Sequence, residues 1–167
     1  MKEHKIVKAI PLDESCFATH NGPSEGVGLH MYITEDDYVV GLCKTKESHQ
    51  GYEGIIHGGL ISTYFDEVLW YATTVTDENL VSVTAELSVK YLKAVPVNEN
   101  IRIIAKPMTR DGRHLYVDGY ILLENDKVAA EATAHFLIVK DDHDLSDVDV
   151  YGDLSTLEEE LPESVRF

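Results

Sequence analysis

The stretch His-Gly-Gly-Leu-Ile-Ser-Thr-Tyr-Phe-Asp-Glu, residues 57–67, holds the residues best suited to chemistry. Two glycines precede a run with helical spacing, and a carboxylate, Asp66, sits inside that run. If the run is a helix, Gly58 and Gly59 fall at its N-terminus. The first amides of a helix lack intrahelical partners and carry the positive end of its dipole. Such amides stabilise negative charge growing on a carbonyl oxygen. Glycine adds no side chain that would hold an acyl group away from the backbone. The Gly58 N–H is therefore expected to be an oxyanion donor, assisted by Gly59. An ionised Asp66 supplies the second need of carbonyl chemistry, either as general base on water or as the attacking nucleophile. A plainer reading stands beside this one. Gly-Gly can simply let a loop turn into a helix, and a buried acid can simply be paired or capped, since burying a lone charge is costly.

Spacing constrains the chemistry further. The eight residues from Gly58 to Asp66 span roughly 12 Å along a helix. One carbonyl carbon cannot touch both groups in a single chain. A working site then combines Gly58 of one copy with Asp66 of another across a two-fold axis, which makes a homodimer part of the mechanism.

The elements that must position these residues follow from hydrophobic period. The segment 27–46 predicts two strands joined at Thr-Glu-Asp-Asp, and residues 47–59 predict a glycine-rich loop. From Leu60 to about Thr76, Ile61, Phe65, Val68 and Ala72 recur at helical spacing. That helix is apolar over most of its circumference, so it is expected to be buried. From Val81 to Tyr91 the period drops to two, and three further strands follow around 101–109, 114–124 and 127–140, one turn being the Asp-Gly hairpin at 111–112. Short turns imply antiparallel pairing. The fold class is α+β: one long central helix wrapped by a curved antiparallel sheet of about five to six strands, with edge strands free to pair with another copy. Residues 1–140 form the domain, 1–15 being a lead-in. Residues 141–167 are expected to be a solvated acidic tail, with a short amphipathic helix around 154–161.

This combination resembles the hot-dog-fold acyl-CoA thioesterases, in particular the phenylacetic-acid-degradation group. Residues 51–72, "GYEGIIHGGLISTYFDEVLWYA", are similar to that group's His-Gly-Gly followed by an acid nine positions after the histidine. "AELSVKYLKAVPVNENI" resembles its next strand and turn, and "VAAEATAHFLIV" its last strand. The resemblance covers roughly residues 16–140. It implies hydrolysis of acyl-CoA thioesters to free acid and CoA at a subunit interface, in a homodimer or homotetramer. It also places Thr84 at the strand position where relatives carry a serine or threonine near the catalytic acid. His57 is a candidate for capping the helix or for acid–base work. His49 and Gln50 are candidates for contact with the substrate carbonyl or the water. Two other readings remain: hydratase or dehydratase chemistry on acyl thioesters, and a non-catalytic acyl-CoA-binding module.

Charge and composition bound the partners. The formal net charge is −16, which disfavours binding to nucleic acid. It is uneven, since residues 141–167 contain ten acids and one base. A phosphate-bearing substrate then needs a local basic patch, expected around Lys90, Lys93, Lys106, Arg110 and Arg113. The eight histidines and two cysteines show no ligand spacing, so neither metal nor cofactor is expected. No apolar run has the length of a membrane span, and the first residues lack a signal-peptide centre. A cytoplasmic protein without membrane contact is expected.

Overall fold

The computed structural model describes residues 1–11, 15–20, 26–77, 80–139 and 161–167. In chain order the strands are β1 (Glu3–Ile10), β2 (His30–Thr34), β3 (Val39–Lys44), β4 (Gln50–Tyr52) and β5 (Ile55–Ile56). The helix α1 (Gly58–Tyr71) follows. Then come β6 (Ser82–Tyr91), β7 (Asn100–Ala105), β8 (Thr109–Asp111), β9 (His114–Leu122), β10 (Val128–Ile138) and β11 (Ser164–Arg166). A 3-10 turn, Glu47–His49, leads into β4.

The main sheet is antiparallel, in the order β11-β1-β2-β3-β7-β9-β10-β6, with β8 attached to β9. It curls about α1, the architecture expected of a hot-dog fold. The helix packs one face into the sheet: Ile61, Tyr64, Phe65, Val68 and Leu69 are buried. Burying each such side chain contributes about 1.5–3 kcal/mol. Close approach is made possible by two sheet glycines. A Cβ on Gly41 would lie 2.7 Å from Val68 Cγ2, and one on Gly119 would lie 2.7 Å from the Ile104 carbonyl oxygen and 2.8 Å from Leu69 Cδ1.

The structure departs from the sequence reading in three ways. First, the helix is not buried all round. Ser62, Thr63, Asp66 and Glu67 are only half-buried, because the sheet covers one side of the helix and leaves the other beside the edge strand β6. Second, the sheet has nine strands among the described residues rather than five or six. The lead-in supplies β1, whose charged exposed positions obscure its alternation. Third, the final residues of the acidic tail join the sheet: Ser164 pairs with Lys5, Val165 with His4 and Arg166 with Glu3. The helix expected around 154–161 falls almost wholly outside the described residues.

The extra strands cover a second apolar cluster on the sheet face away from the helix. Ile6, Tyr32, Val40, Ile104, Leu122 and Val165 are its buried members. Successive strand residues point to opposite faces, so Val39 and Ile103 serve the helix side while Val40 and Ile104 serve this one. At its edge, His4 is buried, stacks on Phe167 with centroids 3.8 Å apart, and contacts both carboxylate oxygens of Asp36 at 2.9 and 3.0 Å. Burial alone would raise the Asp36 pKa; hydrogen bonds from His4, Thr34 and Lys2 outweigh it and lower the pKa to about 2.

Candidate active site

The site forms where the loop from β3 reaches α1. His57 is the N-cap residue, with extended backbone, and its Nδ1 accepts the Gly59 N–H at 2.9 Å. Acting as acceptor, Nδ1 is unprotonated, so the neutral ring carries its proton on Nε2. Glycines on both sides make room for this ring. A Cβ on Gly51 would sit 3.1 Å from His57 Cα and Cδ2, and one on Gly59 would sit 3.0 Å from Nδ1. The second glycine of the pair is thus there to let the histidine fold back and cap the helix. His57 itself is held from behind, its N–H donating to the His49 carbonyl at 2.9 Å.

Gly58 is left as the open donor. Its N–H finds no hydrogen-bond partner among the described residues. Space beside it is bounded by Tyr91 of β6: a Cβ on Gly58 would meet the Tyr91 ring at 3.6 Å, an ordinary contact. The Tyr91 hydroxyl donates to the Gly58 carbonyl at 3.2 Å and lies 2.8 Å from Ser62 Oγ. Together these contacts tie the first turn of α1 to the edge strand and hold the Gly58 peptide in place.

Asp66 lies two turns further along on the half-buried face. Thr84 Oγ1 of β6 donates to its Oδ1 at 2.9 Å, and Oδ2 accepts no hydrogen bond among the described residues. The acid that looked buried in sequence is therefore oriented by a threonine and open on its other oxygen, with no basic side chain paired to it among the described residues. Its neighbour Glu67 turns to another side and accepts from Cys16 Sγ at 3.6 Å.

The other candidates divide. His49 is buried, its Nδ1 has no hydrogen-bond partner among the described residues, and its pKa is lowered by burial and by the charge of Lys46. Gln50 closes its own hairpin, Oε1 accepting the Gly54 N–H at 3.2 Å. Of the expected basic patch, Arg110 Nε donates to the Gly112 carbonyl, and Arg113 donates to the Ile138 carbonyl through Nε and a terminal nitrogen. Lys90 pairs in register with Glu131, and Lys106 lies 3.8 Å from Asp118. Lys90 and Lys106 line one pocket together with Asp118 and Glu131, while Arg110 is held within the β8–β9 turn and Arg113 ties the start of β9 to the end of β10. Among the described residues no group of three or more His, Cys, Asp or Glu is arranged to hold a metal, and no helix is long and apolar enough to cross a membrane.

Residues 53–130, which carry the capped helix and the strands that embrace it, match the family model of the thioesterase superfamily. Over that stretch, a little under half of its length, the chain is similar to the thioesterase superfamily. A crystal structure of a thioesterase superfamily protein aligns with this chain at 26% identity and TM-score 0.62, covering 67% of this chain and 57% of that one. A hypothetical thioesterase protein of Streptococcus pneumoniae, solved with coenzyme A, aligns at 25% identity and TM-score 0.54, covering 62% and 80%. PaaI of E. coli, from the phenylacetic acid degradation operon, shares the fold at TM-score 0.62 and 14% identity, covering 68% and 81%. Among curated proteins, an uncharacterized protein of Schizosaccharomyces pombe is 28% identical over 91 residues, 52% of either chain. The match thus spans about half the length of that relative.

Proposed function

We propose that this chain is a thioesterase that hydrolyses acyl-CoA thioesters to free acid and CoA. The observation that carries the reading is the unoccupied Gly58 N–H at the start of α1, beside a glycine whose own amide is consumed by the His57 cap. In the reaction, the thioester oxygen sits on that amide, where the helix dipole favours the charge of the tetrahedral intermediate. Asp66, held through Oδ1 by Thr84, takes a proton from water with Oδ2. The water oxygen bonds to the acyl carbon, the C–S bond breaks, and the thiolate leaves with a proton.

Gly58 and Asp66 belong to different copies in this scheme. The uncovered face of α1 and the edge strand β6 support it. β6 ends the sheet, and it and the residue after it expose Val83, Tyr91 and Leu92 at 47%, 53% and 51%. Pairing β6 with its symmetry mate covers these side chains and brings the partner's helix alongside. The phenylacetic-acid group resemblance and the coenzyme A in the S. pneumoniae structure support the substrate class.

The test is thiol release from a panel of acyl-CoAs by the parent and by Asp66→Asn, with assembly followed by sedimentation. Turnover by the parent that falls at least about a hundredfold in the variant, and that disappears on dilution to monomer, is expected. Equal hydrolysis by both proteins, or full activity in a monomer, overturns the assignment. Tight binding without any turnover would make the chain a binding module instead.

A further inference from the structure

Tyr91, the last residue of β6, is an exposed aromatic side chain that is nevertheless held at its tip. Its hydroxyl donates to the Gly58 carbonyl at 3.2 Å. A phenol has one proton, so in the 2.8 Å contact with Ser62 Oγ the serine is the donor. The backbone end is fixed by the sheet: Tyr91 pairs with Ala130, and the amides of Leu92 and Lys93 both donate to the Ala129 carbonyl. An exposed tyrosine ordinarily samples several rotamers, and holding one costs side-chain entropy. Here two hydrogen bonds to the first turn of α1 offset that cost and keep the ring beside the site.

The ring closes one side of the Gly58 donor. The Cβ that Gly58 lacks would lie 3.6 Å from Tyr91 Cε1 and 3.8 Å from Cζ. With a C–C bond of about 1.5 Å, the ring edge is at most about 5 Å from Gly58 Cα. A ligand carbon needs about 3.5–4 Å to each neighbour, so none enters between them. A carbonyl whose oxygen sits on the Gly58 N–H must therefore carry its substituents past the ring. The polar tip of Tyr91 is committed to Gly58 and Ser62, so the ring presents only hydrocarbon. That surface suits the acyl side of a thioester rather than an amide-bearing thiol arm. In the paired arrangement proposed above, the second copy covers the ring, so this wall stands at the seam between copies, where the substrate carbonyl lies in that scheme.

We propose that Tyr91 is the specificity-determining residue of this site: it admits acyl groups unbranched at the carbon next to the carbonyl and refuses those branched there. The inference rests on the reading of Gly58 as donor to an acyl-thioester carbonyl.

Steady-state thiol release from hexanoyl-CoA and from its branched isomer 2-ethylbutanoyl-CoA tests it. The proteins are the parent, Tyr91→Val and Tyr91→Phe, each checked for fold by circular dichroism and melting temperature. Valine keeps strand propensity but removes the ring. The parent is expected to favour the straight chain in kcat/KM by at least about tenfold, the scale of one or two carbons in a tight site. Tyr91→Val should bring the two substrates to within about threefold of each other. Tyr91→Phe keeps the ring and should preserve the preference, while kcat falls about threefold for both substrates through the lost hydrogen bond. A parent that does not discriminate, a valine variant as selective as the parent, or a phenylalanine variant that loses the preference overturns the proposal and leaves hydrolysis standing. The matching ketone analogues, with methylene in place of sulfur, are titrated calorimetrically into the same proteins. If the parent hydrolyses neither ester, the hydrolysis reading falls, and the ratio of the two dissociation constants decides the wall by the same criteria. A parent that binds neither analogue overturns the wall as well.

Discussion

Thr84→Val separates an oriented carboxylate from one that merely happens to lie near the helix start. The change keeps side-chain shape and β-branching, so strand propensity is nearly preserved. It removes one interaction, the 2.9 Å hydrogen bond from Oγ1 to Asp66 Oδ1. Hydrogen bonds to charged groups contribute about 1.5–3 kcal/mol. Thr84 is exposed and Asp66 half-buried in the single chain, so about 1 kcal/mol is the fitting figure here. If that bond selects the productive rotamer of Asp66, its loss lowers kcat about fivefold. KM should stay within about twofold, because the bond lies on the enzyme and not on the substrate. Thr84→Ser keeps the hydroxyl and should recover most of the rate. Asp66→Asn, which preserves an acceptor for Thr84 but removes the base, should cost about 10²–10⁴. Steady-state thiol release at saturating acyl-CoA reads all three. The reasoning fails if Thr84→Val turns over like the parent, or if the serine variant is no better than the valine one.

Two further outcomes test the frame. Asp36 has its pKa lowered from 3.8 to about 2 in the folded chain, so its contribution to stability is complete above about pH 4 and fades as pH falls through about 2. The contribution is about 1 kcal/mol once the exposed third of the side chain is allowed for. Urea unfolding of the parent and Asp36→Asn should therefore differ by that amount near pH 6 and converge toward pH 2; a constant gap would contradict the linkage. Gly119→Ala should destabilise by about 1–3 kcal/mol, because its Cβ would press on the Ile104 carbonyl and Leu69. An unchanged denaturation midpoint would show that helix and sheet are not so tightly engaged.

What sequence alone determined is local. The helix start, the acid two turns on and the alternating strands 82–91, 114–122 and 128–138 announce themselves because each depends on residues within one or two turns, or on a period of two. The spacing of 58 and 66 likewise framed the proposal of a second copy before any coordinates. Tertiary structure decided what depends on distant partners. Nothing near residue 57 says that Gly59's amide is spent on the histidine ring, leaving Gly58 alone as the open donor, since that depends on the turn the ring makes between Gly51 and Gly59. Arg110 and Arg113 stand out in the sequence because charge is visible there, while the Gly112 and Ile138 carbonyls that orient them are not. The strand at 164–166 was too short to show a period and became one only by pairing with residues 3–5 across the whole length of the chain.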